Sequence, residues 1–372
     1  MFKKVLLATR PLVPPWDEAS KNFAYFLGKE VRDHQLTLLA SHQPLTGLPE
    51  SANQIALFET GHFNFKAKYR LFSYLRTARN EFDITHYLFT PTKQNTRLIR
   101  LFAKPTKGKT LQTVATLRDD LYSDRALRKL LFADHLVVYT DRSKEKLNRL
   151  GFDNVTRIYP GIDLDRYRPM GKNTNVLTEL GLKPEHFVVL YPGEYVRLGA
   201  TDMLTEAFLS YFSEHPETNL RFVFACRVKN EADHKKKVAV HRRFAEASLL
   251  DYVAFSDTIS DMPSLYNSSD LVIFPVENLN GKFDVPLIII EAYACGKPVF
   301  LSDLPQFREF ANSNICVTIP KDNGAKLIEK IAYLKQNIEE QQRIGDNARR
   351  FVKDHFDLKN TAKQYEEIYS SL

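Results

Sequence analysis

The sequence predicts an α/β protein of two doubly wound domains, each with a mostly parallel sheet. Short apolar, β-branched runs alternate with longer helical patterns from one end to the other, the mark of parallel strands covered by helices. The alternation breaks at Met170-Gly171-Lys172-Asn173-Thr174-Asn175 and restarts at Phe187, which places a junction there. At 372 residues the chain is long enough for two cores.

The first strand is expected over 5–9, where Arg10 and Pro11 stop the apolar run well short of signal-peptide length. Further strands follow at 36–40, 55–58, 84–89, 110–114, 135–139 and 155–159. After the junction they recur at 187–191, 221–225, 253–255, 271–274, 299–302 and 316–319, and 325–372 has a helical pattern. The stretch 270–299 carries the sharpest signal. It reads as a buried strand, a polar loop, a helix opened near Pro286 and stopped by Gly296, then another strand. Glu291 follows three isoleucines in that helix. Buried and unpaired, it would cost on the order of several kcal/mol, so it is expected to face a cleft or an ion-pair partner. Ligands of such sheets sit beyond the carboxyl ends of the strands.

Apolar residues make up 44% of the chain and charged residues 26%, without an apolar run long enough to span a bilayer. Three widely spaced cysteines, Cys226, Cys295 and Cys316, suggest neither a disulfide framework nor a zinc site, and fit a cytoplasmic setting. The net charge of +7 is uneven: residues 1–170 hold 28 Lys and Arg against 17 Asp and Glu, and the remainder 24 against 28. Basic residues are densest over 61–109, interleaved with Phe63, Phe65, Tyr69, Phe72 and Tyr74. That is either an ordinary solvated helix face or a surface for anionic membrane or acceptor, with peripheral membrane contact as its consequence. Nucleic acid is the weaker option, since no binding motif accompanies the charge.

Several of these loops resemble the retaining, nucleotide-sugar-dependent glycosyltransferases of family four. The resemblance rests on Ala133-Asp134-His135-Leu136-Val137-Val138-Tyr139-Thr140, on Ile158-Tyr159-Pro160-Gly161-Ile162-Asp163-Leu164-Asp165-Arg166-Tyr167-Arg168-Pro169, and on Tyr191-Pro192-Gly193-Glu194. The stretch ending in Glu291 resembles the family's Glu-x7-Glu motif, and Phe356 to Tyr369 its closing helix. The resemblance implies the GT-B architecture, two facing Rossmann-like domains with a C-terminal helix returning to the first. It sets an acceptor-binding domain at 1–170, a nucleotide-sugar donor domain at 171–355 and the returning helix at 356–372. Glu291 matches the glutamate that holds the donor ribose. Gly193 and the residues opening the second helix, Val285, Pro286 and Leu287, are placed for the diphosphate, which is well met by helix N-termini and glycine turns.

The chain departs from the family at several positions. Phe283 stands where the first glutamate of the motif belongs, flanked by Lys282 and Asp284. Asp284 either takes over sugar contacts, as a catalytic residue, or caps the helix; Lys282 either neutralises a phosphate or is a loop lysine. Glu194 and Gly199 occupy the positions of the family's arginine and lysine, leaving Arg197 as the nearest cation, with Arg227 and Lys229 as a second pair. Three prolines replace the usual glycine-rich loop after the first strand, removing amide donors. There Trp16, Asp17 and Glu18 suit a sugar or acceptor, or else form a hydrophobic plug with a cap. Arg118, just after the fifth strand, is a further candidate acceptor or sugar contact, and His86 either joins it, matching a histidine the family often carries, or is a satisfied core histidine. No metal-ligand spacing occurs.

The expected activity is transfer of a sugar from a nucleoside-diphosphate sugar to a hydroxyl of a glycan or lipid-linked acceptor with retention. Glu291, Asp284 and Arg197 carry it, with no cofactor and no obligatory metal. The alternatives are a non-catalytic nucleotide- or sugar-binding member of the same fold, and a nucleotide-sugar epimerase or phosphorylase.

Overall fold

The computed structural model describes every residue except Met1, Pro15, Asp17 and 257–260. The chain forms two compact units. The first comprises Met1–Asp163, Gly281–Val285 and Phe356–Leu372; the second comprises Leu164–Asn280 and Pro286–His355.

In the first unit, strands β1 (Lys4–Leu12), β2 (Gln35–Ser41), β3 (Asn53–Phe58), β4 (Ile84–Tyr87), β5 (Lys109–Val114), β6 (His135–Val138) and β7 (Val155–Arg157) form one sheet. Its order is β3-β2-β1-β4-β5-β6-β7, and all its pairs are parallel. The inner strands β1, β2, β4 and β5 are buried along most of their length, as expected of a parallel sheet covered on its faces, whereas the edge strand β3 is largely exposed. One strand is longer than its pattern suggests. β1 runs through Arg10 and Pro11 to Leu12 because its register on β2 shifts between Leu7 and Leu12, and such a bulge is where a strand tolerates proline.

The second unit holds β8 (Phe187–Tyr191), β9 (Leu220–Ala225), β10 (Val253–Ser256), β11 (Leu271–Phe274), β12 (Val299–Ser302) and β13 (Val317–Ile319). All its pairs are parallel, in the order β10-β9-β8-β11-β12-β13. This is the doubly wound Rossmann order, with its topological switch between β8 and β11.

The first unit ends at Asp163 rather than at 170, because the following segment is bonded within the second. Asn267 Nδ2 donates to Arg168 O (3.0 Å), Met170 N donates to Asn267 Oδ1 (2.8 Å), and Lys172 pairs with Asp270 at 2.8 Å. The last helix, Leu358–Ser371, belongs to the first unit. Its Tyr365 and Tyr369 are buried there, and its Glu366 accepts from Arg32 N (2.5 Å) and Asp33 N (2.8 Å). The helices Gly324–Gln336 and Ile338–His355 remain with the second unit. Among the described residues no helix is long and apolar enough to cross a membrane.

Candidate active site

The loops leaving β8 and β11 open at the switch point, where a doubly wound sheet offers its ligand crevice. The β8 loop is shaped by two glycines. A side chain at Gly193 would overlap the Tyr191 ring, and Gly199 has φ +83°, where a Cβ would overlap the Glu277 carboxylate. Gly199 caps the helix Ala200–Glu214, and Glu277 N donates to Leu198 O at 2.9 Å, joining the two loops. Only glycine satisfies both the left-handed backbone and the close approach.

Between these glycines lies a charged cluster built on a buried acid. The Glu194 carboxylate accepts from Arg197 Nε and Nη2, each at 2.6 Å, and from Lys229 Nζ at 2.6 Å. Glu194 is buried while both cations are partly exposed. The acid is therefore fully satisfied, and the cluster presents a surplus positive charge from a fixed bidentate pair. Arg227, half-buried, follows Cys226 at the carboxyl end of β9 beside this loop. In the sequence Glu194 shows only as a replacement for the family's arginine. Its Glu-x-x-Arg spacing was visible, but Lys229 reaches it from beyond β9, which only the sheet order brings near.

Glu291 sits in the helix Leu287–Ala294, which starts from Pro286 without a side-chain cap. Val285 and Pro286 are buried and Leu287 is half-buried. Glu291 is buried rather than open, and its carboxylate accepts from two tyrosines: Tyr266 Oη donates at 3.0 Å, and Tyr167 also donates to it. Burial raises its pKa above the ordinary carboxylate value, while these two hydrogen bonds and the charge of Arg166 pull it back. The carboxylate is thus held in a defined orientation at the helix that follows β11.

Lys282, Phe283 and Asp284 fall in the segment that packs with the first unit. Phe283 meets Tyr139 edge-on at 5.5 Å. Asp284 does not cap the helix, whose N-cap is Pro286. Its carboxylate accepts from Leu117 N at 3.1 Å and from Ser143 Oγ at 2.6 Å, while its own N–H donates to Ala115 O at 2.9 Å. Burial pushes its pKa up to about 7, against the hydrogen bonds from Ser143 and Leu117.

In the first unit, Trp16 stacks on Tyr25 (4.1 Å between centroids, 9° between planes), and Tyr25 Oη is bonded to Thr46 O at 2.7 Å. Trp16 itself is half-buried. Glu18 forms an ion pair with Arg10 and makes no capping bond; Asp17 lies outside the described residues. Arg118 is gripped bidentately by Asp120 at 2.8 and 3.0 Å. His86 is a core histidine: fully buried, it bonds Tyr369 Oη (2.8 Å) and Thr113 Oγ1 (2.7 Å), and burial lowers its pKa to about 3. It stays neutral and occupied. The structure thus brings Gly193, Arg197, Glu194 and Lys229 together at one strand end, while His86, in the first unit, has both ring nitrogens bonded in the core. Among the described residues, no cluster of His, Cys, Asp and Glu is arranged to hold a metal ion.

Comparison with known proteins gives a family match on the second unit. Residues 186–337 match the family model described as glycosyl transferases group 1. A D-inositol 3-phosphate glycosyltransferase of Catenulispora acidiphila is 31% identical over 173 residues, 45% of this chain and 39% of that protein. One from Streptomyces bingchenggensis is 27% identical over 58% of this chain and 48% of its own. The chain therefore matches less than half the length of these curated relatives. Among solved structures, Anabaena HepE in complex with UDP-glucose aligns over the whole of both chains with a TM-score of 0.76 at 18% identity. The fold is accordingly GT-B, with two Rossmann-like parallel-sheet domains.

Proposed function

We propose that this protein is a retaining glycosyltransferase that moves a sugar from a nucleoside-diphosphate sugar to an acceptor hydroxyl of a glycan or lipid-linked acceptor. The observation that carries this reading is the Arg197 and Lys229 pair fixed on buried Glu194, beside two obligatory glycines at the switch point. The match of residues 186–337 to glycosyl transferases group 1 supports it. So does the fold shared with HepE, a protein solved with UDP-glucose.

In this reading Arg197, Lys229 and the amides opening the helix Ala200–Glu214 meet the diphosphate. Glu291 exchanges its tyrosine hydroxyls for the ribose diol, and Arg227 and Leu287 border the same donor. As the bond from the anomeric carbon to the diphosphate breaks, charge grows on the leaving oxygen, where preorganised cations lower the barrier. The leaving phosphate oxygen takes the proton of the acceptor hydroxyl as that oxygen bonds the anomeric carbon on the same face. No side chain forms a covalent bond, and no metal is obligatory, because the cations serve the diphosphate. Asp284 acts as a positioning residue that holds Lys282 and Phe283 in place. The buried thiols Cys226, Cys295 and Cys316 suit a reducing cytoplasm.

A second reading, a non-catalytic nucleotide-sugar-binding protein, is favoured by one observation. Phe283 packs on Tyr139 where the family motif has glutamate, and the neighbouring Asp284 is fully engaged. A donor panel separates the two. Release of nucleoside diphosphate, with transfer or hydrolysis of the sugar, supports the enzyme; saturable binding without release supports the second reading.

A further inference from the structure

The described residues include thirteen large apolar side chains that are strongly exposed, and five of them cluster on two packed elements of the first unit. Phe65 (85% exposed) and Tyr69 (64%) stand one turn apart on the helix Phe65–Thr77. Leu98 (45%), Leu101 (61%) and Phe102 (48%) lie where the helix Lys93–Leu98 passes into a π-helical turn, Ile99–Ala103. The opposite faces of both elements, through Ala67, Leu71, Leu75, Ile99 and Ala103, share one core cluster. The exposed residues are thus carried on a rigid base rather than on a loose loop.

Charge on the same elements has one sign. The segments 65–77 and 93–103 contain seven Lys and Arg and no acid. One neighbouring acid, Glu59, pairs with Lys66 at 3.0 Å and Arg70 at 2.5 Å. Lys68, Arg76, Lys93, Arg97 and Arg100 are exposed. A soluble polyanion would engage the cations but leave Phe65, Leu101 and Phe102 in water. A bilayer of anionic lipid meets both, with phosphates at the cations and the acyl boundary at the apolar tips.

We propose that this face of the first unit docks on anionic membrane, with Phe65, Tyr69, Leu98, Leu101 and Phe102 entering the interface and the surrounding cations holding lipid phosphates. The inference does not depend on the donor site, which lies in the other unit. The test is co-sedimentation of the full chain with phosphatidylcholine vesicles, with and without phosphatidylglycerol. The expected result is binding only with phosphatidylglycerol and weakening as salt rises. It should fall roughly tenfold or more in the triple variant Phe65→Ser, Leu101→Ser, Phe102→Ser, because inserted apolar area and charge act together. Retention on heparin should be unchanged in that variant. A single variant, Leu101→Trp, gives a second readout: its emission should shift to the blue on phosphatidylglycerol vesicles. Equal partition to both vesicles, no partition to either, or full vesicle binding by the triple variant would overturn the proposal. The last result would mark the face as a polyanion site.

Discussion

Arg197 grips Glu194 through two parallel hydrogen bonds of 2.6 Å, although the two residues occupy a loop rather than a helix. In the proposed diphosphate site, an acid here is the reverse of what simple charge attraction would select. Because Lys229 shares the carboxylate, Glu194 acts as the fixed base of a cation clamp. Glu194→Gln removes a negative charge and should nevertheless weaken nucleoside diphosphate binding roughly tenfold, since charge-assisted pairing that orders Arg197 and Lys229 is lost. Calorimetric titration checks this. Tighter binding by the variant would show that Glu194 merely opposes the ligand.

Glu291 is held by Tyr266 and Tyr167, and the proposal gives it the ribose. Glu291→Ala should abolish the thermal stabilisation by nucleoside diphosphate, about 2.7 kcal/mol at a hundredfold excess over the dissociation constant. It should leave the weaker stabilisation by inorganic pyrophosphate in place. Thermal-shift titrations with both ligands separate a ribose contact from a general loss of structure, which would remove both.

The Asp284 carboxyl, with a pKa raised to about 7 from 3.8, makes stability depend on pH. The folded chain keeps a proton that the unfolded chain loses above about pH 4, so this contribution is complete at acid pH. It is lost as pH rises from about 4 through about 7. Asp284→Asn keeps the shape and both hydrogen bonds without the titration. Its stability should equal wild type near pH 4 and exceed it at pH 8, by up to roughly 4 kcal/mol. Denaturation at the two pH values checks this; a constant difference would place the titration elsewhere.

Gly199 combines φ +83° with contact to the Glu277 side chain. Gly199→Ala should destabilise the protein by more than about 1 kcal/mol and weaken donor binding as the two loops part. A melting curve and a nucleotide titration on one preparation check both effects.

If cations alone serve the diphosphate, donor turnover should persist in excess EDTA to within a few-fold. Turnover restored only by added divalent ions would replace that part of the account.

The fold was legible because buried parallel strands appear as apolar runs whatever their partners, and each of the thirteen strands among the described residues overlaps one of the expected segments, even the largely exposed edge strand β3. The extension of β1 past Pro11 was not, since it depends on a register shift against β2. In the candidate site, the tight turn at Gly193, where a side chain would overlap Tyr191, was legible from the residue alone, whereas the tyrosines that hold buried Glu291 were not. The site was illegible where partners come from afar. Ser143 and Leu117 reach Asp284 from 141 and 167 positions away, and Lys229 reaches Glu194 from 35. His86 was open to two readings until Tyr369, from the last helix, filled one of its ring nitrogens.

The central claim is tested most directly by measuring nucleoside diphosphate released from a panel of nucleoside-diphosphate sugars, for wild type and for Arg197→Ala. The account predicts turnover of at least one donor by wild type and a loss on the order of a hundredfold in the variant, the cost of removing one preorganised charge donor. Binding of every donor without release, or release undiminished by Arg197→Ala, would contradict it.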